Sequence, residues 1–254
     1  MREIHYTPGR FVWHEIVTSD VEAARRFYGE LAGWQIEPVE VAGTPSYAHL
    51  TKNGQTVGGL VRRPGPHVPP HVLGYVSVLD VDGAVERARE HRAAVLVPPM
   101  QTAFGRAAVL QDPQGAVLGL CRRTEGDPTE GDRELHAGMF SWCQLNSSDA
   151  DSAAAFYTKL LGWHRTPHAG IRDLSAFEQG GRSAAGLLQA KQGTFAHWLP
   201  YVTVEHIDRA RTIAKQLGGV IVVERLGFAG IGQISIIQDN VGTVLALFEP
   251  ESAG

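Results

Sequence analysis

The chain repeats itself, and that repeat limits its possible folds more than any other feature. Phe11 to Asp20 (FVWHEIVTSD) aligns with Phe140 to Asp149 (FSWCQLNSSD) at an offset of 129 residues. The register continues with Phe27-Tyr28 over Phe156-Tyr157, Leu31 over Leu160 and Gly33-Trp34 over Gly162-Trp163. Farther on, Gly59-Leu60 matches Gly186-Leu187 at an offset of 127, and Tyr75-Val76 matches Tyr201-Val202 at 126. Asp82 matches Asp208, Gln111-Asp112 matches Gln238-Asp239, and Gly115 matches Gly242. Such small drift across a whole module means duplication with minor loop changes. The 254 residues divide into copies at 8–122 and 137–250, joined by a polar linker at 123–136 that holds Gly126, Pro128 and Gly131.

Each copy follows one path. Residues 11–17 alternate and are rich in β-branched and aromatic residues, which predicts a half-buried strand. Ser19-x-x-Glu22, and more loosely Ser148-x-x-Asp151, predict helix starts by a capping box. Val21, Ala24, Tyr28 and Leu31 fall at helical spacing, and Gly33 stops the helix. Strands are expected near 34–41, 46–52, 56–62 and 73–79, then a helix at about 82–93 and strands at 94–98, 106–111 and 117–121. Asp112-Pro-Gln-Gly115 reads as the tight turn joining the last two. The fold class is α+β, with a βαβββ unit twice in each copy.

Composition excludes several function classes. At 43% hydrophobic and 20% charged residues the chain has material for packed cores and does not read as disordered. A net charge of −4 leaves no electrostatic footprint for nucleic acid or an anionic membrane. The segment Met1 to His5 lacks the apolar core of a signal peptide, and no run approaches a membrane span, so a cytoplasmic location is expected. Two cysteines, Cys121 and Cys143, support neither a disulfide framework nor a Cys-rich zinc site.

The order and residues resemble the vicinal oxygen chelate superfamily, which includes glyoxalase I, bleomycin-resistance proteins, fosfomycin-resistance enzymes and extradiol dioxygenases. The resemblance rests on a strand followed by Thr18-Ser-Asp20, and on a helix ending Phe27-Tyr28-x-x-Leu31-x-Gly33-Trp34. It also rests on Tyr75-Val-x-Val78-x-Asp80-x-Asp82 and the closing Asp112-Pro-Gln-Gly115. It covers residues 10–122 and 138–249 and is nearest to two-module bacterial members labelled glyoxalase-like or hydroxylases. It implies that two βαβββ units curl a mixed sheet into a cup, with helices outside and chemistry on the concave face.

The resemblance also implies three metal-ligand positions per module. They fall here on Trp13, Leu73 and Gly119, and on Trp142, Leu199 and Ala246. None of these side chains donates a lone pair to a divalent ion, so no metal and no cofactor is expected at the customary place. A displaced site would pair Glu15 with His71, or Gln144 with His197, and draw on His49; the other reading makes His71 a loop histidine at the rim.

Period two puts Phe11, Trp13, Glu15 and Val17 on one strand face and Val12, His14 and Ile16 on the other. By family analogy the first set lines the cup, and Phe140, Trp142, Gln144 and Asn146 line the second. The fifth strands add Leu73, Tyr75 and Ser77, and Leu199, Tyr201 and Thr203; the eighth add Val117, Gly119 and Cys121, and Val244, Ala246 and Phe248. Candidate ligand-binding residues are therefore Trp13, Tyr75, Ser77, Trp142, Gln144, Asn146, Tyr201 and Thr203. The alternative is that Trp13 and Trp142 simply fill the cups. Glu15 is the candidate acid or base, with desolvation raising its pKa, against the alternative of a carboxylate tied to an arginine or a backbone amide. His14 reads as a core histidine, and neither cysteine reads as a nucleophile. Gly58-Gly59 marks a bulge, a turn or a close backbone approach.

Three functions stay open. One is a metal-independent binder of a planar or hydrophobic metabolite. The second is a cofactorless isomerase, cyclase or lyase using Glu15, and the third is a metal-dependent glyoxalase- or dioxygenase-like enzyme. The expected partner is a small molecule, with the chain a monomer or a homodimer.

Overall fold

The computed structural model describes residues 4–41, 44–129, 136–228 and 230–251; residues 130–135 of the expected linker lie outside them. Strand β1 (Phe11–Thr18) leads into helix α1 (Val21–Ala32), then β2 (Gln35–Val41), β3 (Thr44–Lys52) and β4 (Gln55–Arg62). β5 (His71–Ser77), α2 (Val81–Glu90), β6 (Ala94–Gln101), β7 (Gly105–Gln111) and β8 (Val117–Arg123) complete the first series. The second series runs β9 (Phe140–Ser147), α3 (Ala150–Leu161), β10 (His164–Pro167), β11 (Leu174–Gln179) and β12 (Arg182–Gln189). It ends with β13 (His197–Thr203), α4 (Ile207–Gln216), β14 (Val220–Phe228), β15 (Gly232–Gln238) and β16 (Val244–Pro250). The strands form two eight-stranded mixed sheets, ordered β2-β3-β4-β1-β5-β8-β7-β6 and β10-β11-β12-β9-β13-β16-β15-β14. β1 runs parallel to β4 and β5 to β8, while the hairpin pairs are antiparallel. The α+β class and the four βαβββ units stand as expected.

The helix starts differ from the capping-box expectation. Asp20, not Ser19, is the N-cap of α1, and its carboxylate accepts from the amides of Glu22 and Ala23, both at 3.0 Å. Asp149 does the same for α3, accepting from the Ser152 amide at 3.0 Å. The serine hands the position to the next residue because an ionised carboxylate is the stronger acceptor at the positive end of a helix. Gly33 and Gly162 end these helices at φ +70° and +72°, a left-handed conformation that suits glycine.

The chain packs as two compact units, each built from parts of both sequence copies. The first comprises Met1–Val12, Leu73–Thr129 and Trp142–Leu199; the second comprises Trp13–Val72, Glu130–Ser141 and Pro200–Gly254. In the second unit, Phe27, Tyr28 and Leu31 of α1 share a core with Ile207, Ala210 and Ala214 of α4 and with Ile16, Leu50, Leu60, Val202 and Leu247 from the strands. In the first unit, Ala84, Val85 and Ala88 of α2 and Phe156, Tyr157 and Leu160 of α3 do the same with Val76, Leu118, Leu145 and Leu187.

The repeated Phe-Tyr, Gly-Trp and turn-Asp motifs now have physical roles. In the second unit the Tyr28 hydroxyl donates to Asp239 Oδ2 at 2.9 Å, and Trp34 Nε1 donates to the Gly138 carbonyl at 2.7 Å. In the first unit Tyr157 donates to Asp112 Oδ2 at 3.0 Å, and Trp163 Nε1 to the Gly9 carbonyl at 2.9 Å. Each tyrosine thus bonds the turn aspartate of the other copy. The other oxygen of Asp112 accepts from the amides of Gln114 and Ala116 at 2.9 Å, which fixes the expected Asp112–Gly115 turn. Phe11, expected beside Trp13 on the cup face, instead packs on Trp163 and Trp198 at centroid distances of 6.2 and 5.1 Å.

Candidate functional site

On β1 the alternation sorts side chains by chemistry. Ile16 faces the core of the second unit, and His14 stacks on Phe140 with centroids 4.2 Å apart. Burial pushes the His14 pKa down to about 3, so its ring is a neutral part of the core. Trp13 instead meets the edge of His49 at 5.9 Å, and Tyr47 meets the same ring at 5.9 Å. Opposite Glu15 in the β1–β4 register stands Gly59, where a Cβ would come within 2.4 Å of the Tyr47 hydroxyl and 3.2 Å of Glu15 Cγ. Gly59 thus lets a carboxylate, a phenol, an imidazole and an indole gather on one face, the close approach that the glycine pair announced.

Tyr47 escaped the sequence reading. The signal was the alternation Tyr47-Ala48-His49-Leu50, which puts Tyr47 on the same strand face as His49. This cluster is closed: Trp13 is 3% and Glu15 8% exposed.

The equivalent face of the first unit is more open and differently wired. Trp142 and Gln144 on β9 are half-buried, and both crowd Gly186 on β12, where a Cβ would lie 3.0 Å from Trp142 Nε1 and 3.1 Å from Gln144 Cγ. Gln144 Nε2 donates to Asn146 Oδ1 at 2.9 Å, and the amide nitrogen of buried Asn146 lies 3.1 Å from His197 Nε2. Sequence reasoning named Gln144 and His197 as a possible metal pair; the structure puts Asn146 between them. Both candidate histidines are held alike, His71 Nδ1 on the Pro69 carbonyl at 2.8 Å and His197 Nδ1 on the Phe195 carbonyl at 2.9 Å. Desolvation lowers the His71 pKa, opposed by its bond to Pro69.

The remaining candidates sit on the other half-sheets. In the first unit Tyr75 pairs with Gly119, and its ring covers that glycine so closely that a Cβ there would fall 2.2 Å from Tyr75 Cδ1. The ring also packs edge-on to Phe104 at 5.0 Å, while Ser77 is fully buried opposite Cys121. In the second unit Tyr201 pairs with Ala246 and Thr203 with Phe248, all but Phe248 being buried. Burial drives the Cys143 thiol far above its ordinary pKa, which removes it as a nucleophile.

These residues do not fit the divalent metal that the family resemblance implies. The three customary positions hold an indole, a leucine and either glycine or alanine, and the Tyr75 ring fills the space that a ligand from position 119 would need. Among the described residues no three His, Cys, Asp or Glu side chains come together as a metal-holding group.

A family model described as "Glyoxalase/Bleomycin resistance protein/Dioxygenase superfamily" matches residues 8–120. "Putative glyoxylase CFP32" of Mycobacterium tuberculosis is 32% identical over 253 residues, covering 96% of each chain. "Anthracycline biosynthesis protein DauV" of Streptomyces sp. strain C5 is 27% identical over 250 residues, covering 85% of this chain and 84% of that one. Among solved structures, the 2,3-dioxygenase LapB from Pseudomonas sp. KL28 superposes with a TM-score of 0.65 at 11% identity, over 97% of this chain and 94% of that one. That last likeness is one of fold.

Proposed function

This chain belongs to the glyoxalase/bleomycin resistance protein/dioxygenase superfamily, and from that premise we propose that it is a metal-independent binder of a planar or hydrophobic metabolite, acting in sequestration or resistance. The observation that carries the reading is the Tyr75 ring seated over Gly119, with indole or aliphatic groups at the other customary ligand positions. Aromatic walls with sparse polar groups suit a flat ligand. The relative named for anthracycline biosynthesis, a class of planar fused-ring compounds, supports the same ligand class. Of the two β1-type faces, the half-buried Trp142 and Gln144 offer more accessible contact area than the closed Trp13 and Glu15.

A second reading has its own support. Glu15, 8% exposed and crowding Gly59 together with Tyr47, would serve as the acid or base of a cofactorless isomerase, cyclase or lyase. We place the protein in the cytoplasm as a monomer or homodimer; among the described residues no helix is long and apolar enough to cross a membrane. A thermal-shift screen against planar aromatics, quinones and 2-oxoaldehydes tests the main reading, since a bound ligand stabilises by mass action. A planar aromatic hit that Trp142→Ala abolishes supports it; hits confined to 2-oxoaldehydes overturn it. Glu15→Gln separates the two readings: a binder keeps its ligand, whereas an acid–base enzyme loses turnover by about 10²–10⁴-fold.

A further inference from the structure

The two copies differ at one pair of positions in a way that fixes hydrogen-bond polarity. Where the first copy has Glu15 and Val17, the second has Gln144 and Asn146. An ionised carboxylate offers acceptor oxygens in either orientation, whereas a carboxamide offers an acceptor or a donor according to which way it is turned. Gln144 is turned one way by a chain with a single consistent direction. The Phe195 carbonyl can only accept, so at 2.9 Å it takes the proton on His197 Nδ1, and in the neutral ring this tautomer has its lone pair on Nε2. That lone pair accepts from the Asn146 amide nitrogen at 3.1 Å, which turns Asn146 Oδ1 toward Gln144. Oδ1 in turn requires Gln144 to donate through Nε2, at 2.9 Å, and so directs the Gln144 carbonyl away from Asn146. Asn146 is 7% exposed, so the middle of the chain is sheltered from competing water.

We propose that Asn146 and His197 are positioning residues that hold the Gln144 carbonyl as an acceptor at the strand position that Glu15 occupies in the first copy. The recognised ligand then carries a hydrogen-bond donor on its edge, a phenolic or enolic hydroxyl or a ring N–H on a planar framework. This ligand class rests on the small-molecule reading above; the positioning itself does not.

The test uses the full-length protein labelled with ¹⁵N. Without any ligand, the His197 ring nitrogens report an Nδ1–H tautomer and the Gln144 side-chain amide gives one ordered pair of resonances. Asn146→Leu and His197→Phe are expected to broaden that pair or move it to free-amide positions, with the backbone spectrum otherwise retained. Asn146→Asp keeps an acceptor for Gln144 and is expected to keep the pair ordered while the similarly shaped Asn146→Leu disorders it, a contrast that a merely space-filling role for Asn146 does not predict.

Binding is then followed at the Gln144 resonance with 2,6-dihydroxyanthraquinone, whose hydroxyls lie out of reach of the ring carbonyls, and with anthraquinone, which has the same rings without hydroxyls. The wild type is expected to favour the hydroxylated probe by about fivefold, the scale of one net hydrogen bond, and the Leu and Phe variants to lose that preference. Unchanged Gln144 resonances and an unchanged preference in both variants overturn the proposal. If neither probe perturbs Gln144 while the variants still disorder it, the positioning stands and the ligand class falls together with the function it rests on.

Discussion

Gly119→Ala isolates the claim that an aromatic ring has closed the third ligand position. The new Cβ would fall 2.2 Å from Tyr75 Cδ1, 2.5 Å from Cε1 and 2.5 Å from Cγ, so the whole ring must move. It cannot move freely, because Tyr75 is 5% exposed and packs edge-on to Phe104 at 5.0 Å. Overpacking of this kind costs about 1–3 kcal/mol. For a chain of this size that is a melting-temperature fall of roughly 2–4 °C per kcal/mol. Tyr75→Ala alone leaves a cavity and costs about 3–5 kcal/mol. In the double variant the clash is gone, and alanine gains about 0.5–1 kcal/mol over glycine in a strand. The two changes are therefore non-additive, with the double variant about 1.5–4 kcal/mol more stable than the sum of the singles. Urea unfolding followed by tryptophan fluorescence and circular dichroism measures all four corners. Equal costs of Gly119→Ala with and without the Tyr75 ring would refute the reasoning.

Two further perturbations follow from buried polar contacts. Tyr28→Phe strips one acceptor bond from the buried Asp239 carboxylate and is expected to cost about 1.5–3 kcal/mol; Tyr157→Phe costs more, because Trp198 Nε1 also donates to that hydroxyl at 3.1 Å. Burial and the neighbouring aspartates raise both phenol pKa values well above 10, so their contribution is whole below pH 10 and is lost as pH climbs through the folded values. Alkaline unfolding scans should accordingly be shallower in the double Phe variant. His14, with a folded pKa of about 3 against 6.5, acts at the other end of the scale. Its stabilisation is present above pH 6.5 and drains at about 1.4 kcal/mol per pH unit down to pH 3, so His14→Phe should flatten acid unfolding between those limits.

The element order was legible because the duplication repeats every pattern twice and each strand or helix keeps its own period. The exchange of parts between the copies was not legible. Tyr28 finds Asp239 rather than Asp112, yet both copies carry the same Tyr and the same turn Asp, so either pairing satisfies the hydrophobic and hydrogen-bond pattern equally. Trp34 and Trp163 read only as residues after a helix stop, since their acceptors at Gly138 and Gly9 lie more than a hundred residues away. Trp13 and Glu15 were found from alternation along one strand; the same alternation on β3 puts Tyr47 on the face of His49, but its approach to Glu15 across Gly59 is a cross-strand contact that no single-strand period reveals. The Gln144–Asn146–His197 chain escaped for a similar reason. Its first link lies within β9, but its direction is set by the Phe195 carbonyl at the entry to another strand.

The central claim is ligand binding without a metal, and one titration tests it most directly. Protein exhaustively dialysed against a chelator and verified metal-free by mass spectrometry is titrated with 2,6-dihydroxyanthraquinone, which has no chelating hydroxyl–carbonyl pair of its own, then again with one equivalent of Mn²⁺, Fe²⁺ or Zn²⁺ per module. Saturable binding with a Kd unchanged by any of the metals is the predicted result; binding that appears only after a metal is added would contradict it.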